Sequence, residues 1–269
     1  MKRILSALAL LTMCAVCSMA AVVDTVEIAT RHLTTPMKVS VVTPTTGAEG
    51  ERFPTVYMLN GHGGDYRSWL KSQKRLRELS DRYKMVFVFP DGRNSWYWDT
   101  PKMRMESFFV EDLVPYIDAN FPTRADAASR AITGYSMGGH GALWLASRHP
   151  DLWRSAGSMS GGVDIRPFPK NWNMPELLGA EDNNPEKWAQ HTVITQVPNW
   201  KPGELNLIID CGTEDVFTEV NENLHRELLR HKIPHDYTSR PGAHNWNYWN
   251  NSIYYHLLFF SEVFRKGGK

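Results

Sequence analysis

Five short β-rich runs punctuate the chain: residues 37–44 (MKVSVVTP), 55–60 (TVYMLN), 85–90 (MVFVFP), 131–136 (AITGYS) and 205–210 (LNLIID). The central ones are apolar almost throughout, not at every second position. A strand without a polar face must be covered on both sides, which is the situation of a parallel sheet between two helical layers. The stretches between them have helical character. Residues 66–83 and 106–119 are two such stretches, and 218–232 is a third, with Val220, Leu224 and Leu228 at four-residue spacing on one face. An aromatic-rich run, 247–264, predicts a last helix. Alternation of this kind predicts an α/β chain with a mostly parallel central sheet and helices on both faces.

At 269 residues, with 42% hydrophobic and 22% charged side chains, the chain suits a single globular domain over residues 21–269. The first twenty residues are of another kind. Lys2 and Arg3 precede an apolar run, Ile4 to Val16, and Ser18-Met19-Ala20 follows. A basic head, a short apolar core and small residues at the cut positions predict a secretory signal peptide cleaved after Ala20, and hence a secreted or periplasmic protein. The run is too short for a comfortable membrane span. Its removal leaves 28 basic against 29 acidic residues, a net charge of −1, so charge alone recruits neither nucleic acid nor an anionic membrane. Two of the three cysteines go with the leader. Cys211 remains alone, so no internal disulfide forms and the core must supply the stability.

Chemistry enters at residues 132–144, ITGYSMGGHGALW. Gly134-Tyr135-Ser136-Met137-Gly138 is a G-x-S-x-G pattern, with a strand end before it and a helix start after it. That context makes Ser136 a candidate nucleophile on a sharp strand-to-helix turn. The turn aims the hydroxyl outward and places it at the positive end of a helix, where an oxyanion is favoured. A serine needs a base, and the base needs an orienting carboxylate. In this architecture the chain order is serine, acid, histidine. His244 is the candidate base, on a loop ahead of the last helix; His140, just past the turn, is expected to serve the helix N-terminus instead. Asp210, Glu214 and Asp215, at the end of a buried strand, are the candidate acids. Two backbone N–H donors are needed for the oxyanion. Met137, after the nucleophile, supplies one. The glycine-rich turn in YMLNGHGGDYRSW (57–69) supplies the other, assigned to His62. No H-E-x-x-H, cysteine cluster or phosphate-binding glycine loop calls for a metal or a cofactor.

The three segments GYSMGGHGAL, LIIDCGTEDVF and PGAHNW together resemble the putative-esterase family of α/β-hydrolases, over about residues 30–265. That family groups S-formylglutathione hydrolases, feruloyl and acetylxylan esterases of carbohydrate esterase family 1, tributyrin esterases and antigen 85 mycolyltransferases. The resemblance implies an α/β-hydrolase fold and a serine esterase with Ser136 as nucleophile and His244 as base. It implies Asp215 as the acid, a choice that spacing alone leaves open, and places the oxyanion amides at Met137 and His62.

Substrate clues are aromatic. Trp96 and Trp98, in DGRNSWYWDTP (91–101), follow a buried strand and are expected to wall a site for a sugar or a phenolic acyl group. Residues 164–204 interrupt the strand–helix rhythm with six of the sixteen prolines and three of the ten tryptophans, and are expected to form a lid-like insertion. With the leader, these features favour a small-molecule or oligosaccharide ester, namely acetyl or feruloyl groups on plant polysaccharide. S-formylglutathione hydrolysis and acyl transfer of the antigen 85 type are the alternatives.

Overall fold

The computed structural model describes residues 21–267, so the leader predicted over residues 1–20 lies outside the described residues. In chain order the elements begin with β1 (Val22–Ile28), β2 (Met37–Thr43), β3 (Thr55–Leu59), α1 (Ser68–Ser72), α2 (Leu76–Tyr83) and β4 (Val86–Pro90). A small hairpin, β5 (Asp99–Thr100) and β6 (Met103–Arg104), leads into α3 (Met105–Phe108) and α4 (Val114–Asn120). Then come β7 (Arg130–Tyr135), α5 (Met137–Arg148), β8 (Ser155–Met159), α6 (Met174–Leu178), α7 (Pro185–Gln190), β9 (Asn206–Gly212), α8 (Thr218–Arg230), β10 (Asp236–Arg240) and α9 (Trp246–Gly267).

Eight strands form one sheet in the order β1-β2-β4-β3-β7-β8-β9-β10. The first two pairings, β1 with β2 and β2 with β4, are antiparallel, and all others in the sheet are parallel. Residues of the central strands divide between two cores. From β3, Tyr57 and Leu59 enter one layer with Ile132, Leu143 and Ile209. Val56 and Met58 enter the other, with Phe87, Phe89, Ile253 and Phe260. This two-sided burial is why the strands carry no polar face. Cys211 is buried in the first layer, and burial pushes its thiol pKa well up, away from thiolate chemistry.

The predicted helix at 66–83 is two helices. Gln73 breaks it with an extended backbone, because its side chain is engaged elsewhere: Nε2 donates to the carbonyl of Asn250 at 2.9 Å and Oε1 accepts from the Arg75 amide at 3.2 Å. The predicted helix at 106–119 holds a widened π turn over Phe109–Leu113, one residue short of Pro115, which has no amide to donate. Strand β8 reads SAGSM, with no apolar run, yet it lies inside the sheet, between β7 and β9. Its residues are small because helices press on both faces. A Cβ on Gly157 would sit 2.4 Å from Nδ1 of His256 in α9, and Ser158 Oγ already crowds Gly139 in α5.

Candidate active site

Parallel strands deliver their carboxyl ends to one edge of the sheet. The turn after β3, the loop after β4, Ser136 after β7 and the 213–217 segment after β9 therefore meet there. Ser136 caps α5 with φ 57° and ψ −123°, a strained positive-φ conformation that only a tightly constrained turn imposes on a serine. The glycines on either side make room for it. A Cβ on Gly134 would lie 2.6 Å from the backbone of Gly138, and one on Gly138 would lie 2.7 Å from the carbonyl oxygen of Leu59. Only glycine allows strand, turn and helix to pass this closely.

His244 comes from the loop between β10 and α9. Its Nε2 lies 2.9 Å from Ser136 Oγ. Its Nδ1 lies 2.9 and 3.0 Å from the two carboxylate oxygens of Asp215. A carboxylate accepts, so Nδ1 carries the proton and Nε2 offers its lone pair to the serine hydroxyl. Asp215 is buried, and Oδ1 also accepts from the Phe217 amide at 2.8 Å, which fixes its orientation. The imidazole stands edge-on to Phe217 and Trp249, with centroids 5.2 and 4.9 Å away. Of the other two candidate acids, Glu214 is exposed, and Asp210 is occupied by Arg240, whose Nη2 donates to it at 2.9 Å.

Ser136 and His244 open onto a cleft of about 350 Å³, shared with the 61–64 turn, Trp172, Trp246 and Trp249. The amides of Met137, at the first turn of α5, and of His62, in that turn, belong to the two segments flanking Ser136. A larger hollow of about 540 Å³ lies at the opposite edge of the sheet, around Arg154, Asn206 and Asp236, far from the hydroxyl–imidazole–carboxylate chain. Among the described residues no three His, Cys, Asp or Glu side chains are grouped as a metal ion would need.

A family model described as putative esterase matches residues 30–260. The chain belongs to the putative esterase family. It is a serine carboxylic-ester hydrolase. Among its relatives is an acetyl esterase of Caldicellulosiruptor saccharolyticus, 25% identical over 237 residues, covering 80% of this chain and 86% of the relative. The S-formylglutathione hydrolase of Mus musculus is 24% identical over 250 residues, covering 82% and 85%. A ferulic acid esterase of known structure superposes with a TM-score of 0.81 at 23% identity, over 91% of this chain and 99% of that one, and so shares the α/β-hydrolase fold.

Trp96 and Trp98 do not wall the cleft of this esterase. They are 1% and 0% exposed. Trp96 and Tyr97 take positive φ, 54° and 63°, which turns the 91–98 loop inward. The two indoles stack at 5.7 Å, and Trp98 Nε1 donates to Nε2 of His140 at 2.9 Å. Residues of the 164–204 segment then cover them: Trp172 packs on Trp96 and His191 on Trp98. His140 is likewise a core residue, not a helix-terminus group, and its Nδ1 donates to the Gly162 carbonyl at 3.0 Å. The aromatic lining of the cleft comes instead from Tyr135, Trp172, Trp246 and Trp249, of which only Trp172 belongs to a segment, the 164–204 insertion, whose tryptophans the sequence singles out. For the last two a signal exists: they follow His244 closely and stand three apart in a helix, hence on one face.

Burial drives the His140 pKa down to about 3. That lies below the unfolded value of about 6.5, so below that pH the unfolded chain takes up a proton that the folded one refuses. Stability should therefore fall as pH falls, with His140 contributing about 1.6 kcal/mol of loss between pH 6.5 and 5, as the slope rises from half to nearly all of roughly 1.4 kcal/mol per pH unit. Urea unfolding of wild type and His140→Gln across this range checks it. The wild-type curve should slope more steeply by that amount, whatever the absolute cost of the substitution.

Proposed function

We propose that this esterase is exported and removes acetyl or feruloyl groups from plant polysaccharide or its oligosaccharides, with Ser136 as nucleophile, His244 as general base and acid, and Asp215 as the orienting carboxylate. The observation that carries the mechanism is the unbroken hydrogen-bond chain from Asp215 through His244 to Ser136 Oγ. His244 takes the hydroxyl proton as Oγ attacks the ester carbonyl. The amides of Met137 and His62 hold the oxyanion, helped by the positive end of α5. His244 then protonates the leaving alcohol, water attacks the acyl-enzyme, and the same steps release the acid.

Three features support the substrate class. The leader pattern favours a substrate outside the cytoplasm. Trp172, Trp246 and Trp249 offer the cleft aromatic surface, which suits phenolic rings and sugar C–H faces. A relative is an acetyl esterase. The mouse relative supports a second reading, S-formylglutathione hydrolysis. A panel of p-nitrophenyl acetate, methyl ferulate, acetylated xylan and S-formylglutathione separates the two. The carbohydrate or feruloyl esters should give the higher kcat/KM. A preference for S-formylglutathione of about a hundredfold, or roughly 2.7 kcal/mol in transition-state binding, replaces the first reading with the second.

A further inference from the structure

The turn that carries the His62 amide has three glycines in four residues, Gly61, Gly63 and Gly64. Glycine backbone is free to rotate, so the peptide planes of such a turn are poorly fixed by local sterics. His62 is its only side chain beyond hydrogen, and that side chain is tethered. Its Nε2 lies 2.8 Å from Oδ1 of Asn173, 111 residues further along the chain. Asn173 Nδ2 donates in turn to the carbonyl of Asn94 at 3.3 Å. A carbonyl can only accept, so the amide nitrogen must face Asn94 and the amide oxygen must face His62, which therefore donates from Nε2.

Two more bonds close the circuit. The Gly63 amide donates to Asn94 Oδ1 at 2.7 Å, and Trp96 Nε1 donates to the Trp172 carbonyl at 3.3 Å. Trp172 and Asn173 both hold positive φ, 50° and 54°, a kink that turns the 164–204 segment toward the 61–64 turn. Within the turn, the Gly63 amide is spent on Asn94 and the Gly64 amide on the Gly61 carbonyl at 3.0 Å. The His62 amide has no hydrogen-bond partner among the described residues.

We propose that Asn173, braced by Asn94, is a positioning residue that fixes the direction of the His62 amide and so couples the 164–204 segment to oxyanion stabilisation. The inference rests on the serine mechanism proposed above. An oxyanion donor acts through preorganisation, and a displacement of about 1 Å can cost on the order of a hundredfold in rate. The Gly61 carbonyl, on the same peptide as the His62 N–H, accepts from Asn60 Nδ2 and from the Gly64 amide, both at 3.0 Å, and the tether adds a hold on the far side of the His62 Cα, where the glycines at 63 and 64 supply none.

The test uses the full-length enzyme with Asn173→Gly, which tolerates the positive φ, with His62→Ala, and with the two combined. Asn173→Gly should lower kcat for p-nitrophenyl acetate by roughly ten- to a hundredfold while KM stays within about twofold. Affinity for a trifluoromethyl ketone, which forms a tetrahedral adduct on the serine, should fall by the same factor. The double variant should be about as slow as the slower single one, because both remove one tether. Unchanged kcat or unchanged adduct affinity in Asn173→Gly, or losses that multiply in the double variant, overturns the inference if Ser136→Ala is inactive. Full activity in Ser136→Ala would instead overturn the serine mechanism and this inference with it. Should Asn173→Gly not fold, His62→Ala alone cuts the same tether from the side of the turn and keeps the residue-62 amide. A lower kcat at constant KM and weaker adduct affinity then support the tether, and an unchanged kcat refutes it.

Discussion

Ser136→Ala and His244→Ala are each expected to lower kcat by roughly 10⁴-fold or more, and the double variant should be little worse than either, because such residues act as a unit. The 2.9 Å contact between His244 Nε2 and Ser136 Oγ is the reason: neither the hydroxyl nor the imidazole can make this proton transfer alone. Asp215→Asn should also be severely slowed with the fold intact, since an amide in place of the carboxylate lets the imidazole hold the wrong tautomer. Single-turnover kinetics with p-nitrophenyl acetate check all of these, and a serine-directed phosphonate should label wild type at Ser136 alone. A folded Ser136→Ala protein that hydrolyses the ester at near wild-type rate would remove the mechanism.

Trp98→Ala should be the most damaging of the aromatic substitutions, through stability and not through substrate contact. Deleting a fully buried indole costs about 3–5 kcal/mol, and leaving the buried His140 acceptor unpaired adds about 1–3 kcal/mol. Against a total of about 5–15 kcal/mol, that brings the fold close to failure. The Tm should drop steeply, and the remaining folded fraction should lose activity on p-nitrophenyl acetate and methyl ferulate by the same factor. Trp172→Ala is the contrast, because Trp172 is only half-buried and lines the cleft. It should lower kcat/KM on the feruloyl ester about two- to tenfold more than on the acetate, with the smaller loss of Tm. Thermal melts beside the two rates decide between the roles. A Trp98→Ala protein that melts like wild type but loses only feruloyl activity would return that residue to the binding wall.

How much of this was legible in the chain varies by element. The buried strands β3, β4 and β9 announce themselves by apolar runs, because a strand covered on both faces selects the same residues wherever it occurs. β8 is invisible to that criterion. It is chosen for thinness, to let His256 and Gly139 approach, and thinness reads as Ser, Ala and Gly. β10, DYTSR, lies at the sheet edge and turns a single apolar side chain, Tyr237, to the core, too little to form an apolar run. The break at Gln73 depends on the carbonyl of Asn250, which no window around residue 73 contains.

The same division runs through the site. The sequence by itself determined the layered α/β architecture, the glycine-flanked turn at Ser136 and the order of serine, acid and histidine along the chain. All three are written in residue size and polarity over a few consecutive positions. Only the tertiary structure decided which aromatics meet the cleft. Trp96 and Trp98 look like a wall in one dimension, but two successive positive-φ residues and the cover of Trp172 and His191 put them inside. Only the fold, likewise, joins His62 to Asn173. A side chain's direction is set by backbone torsions, and its neighbours by which distant segment packs over it. Neither quantity is carried by the identity of the residue.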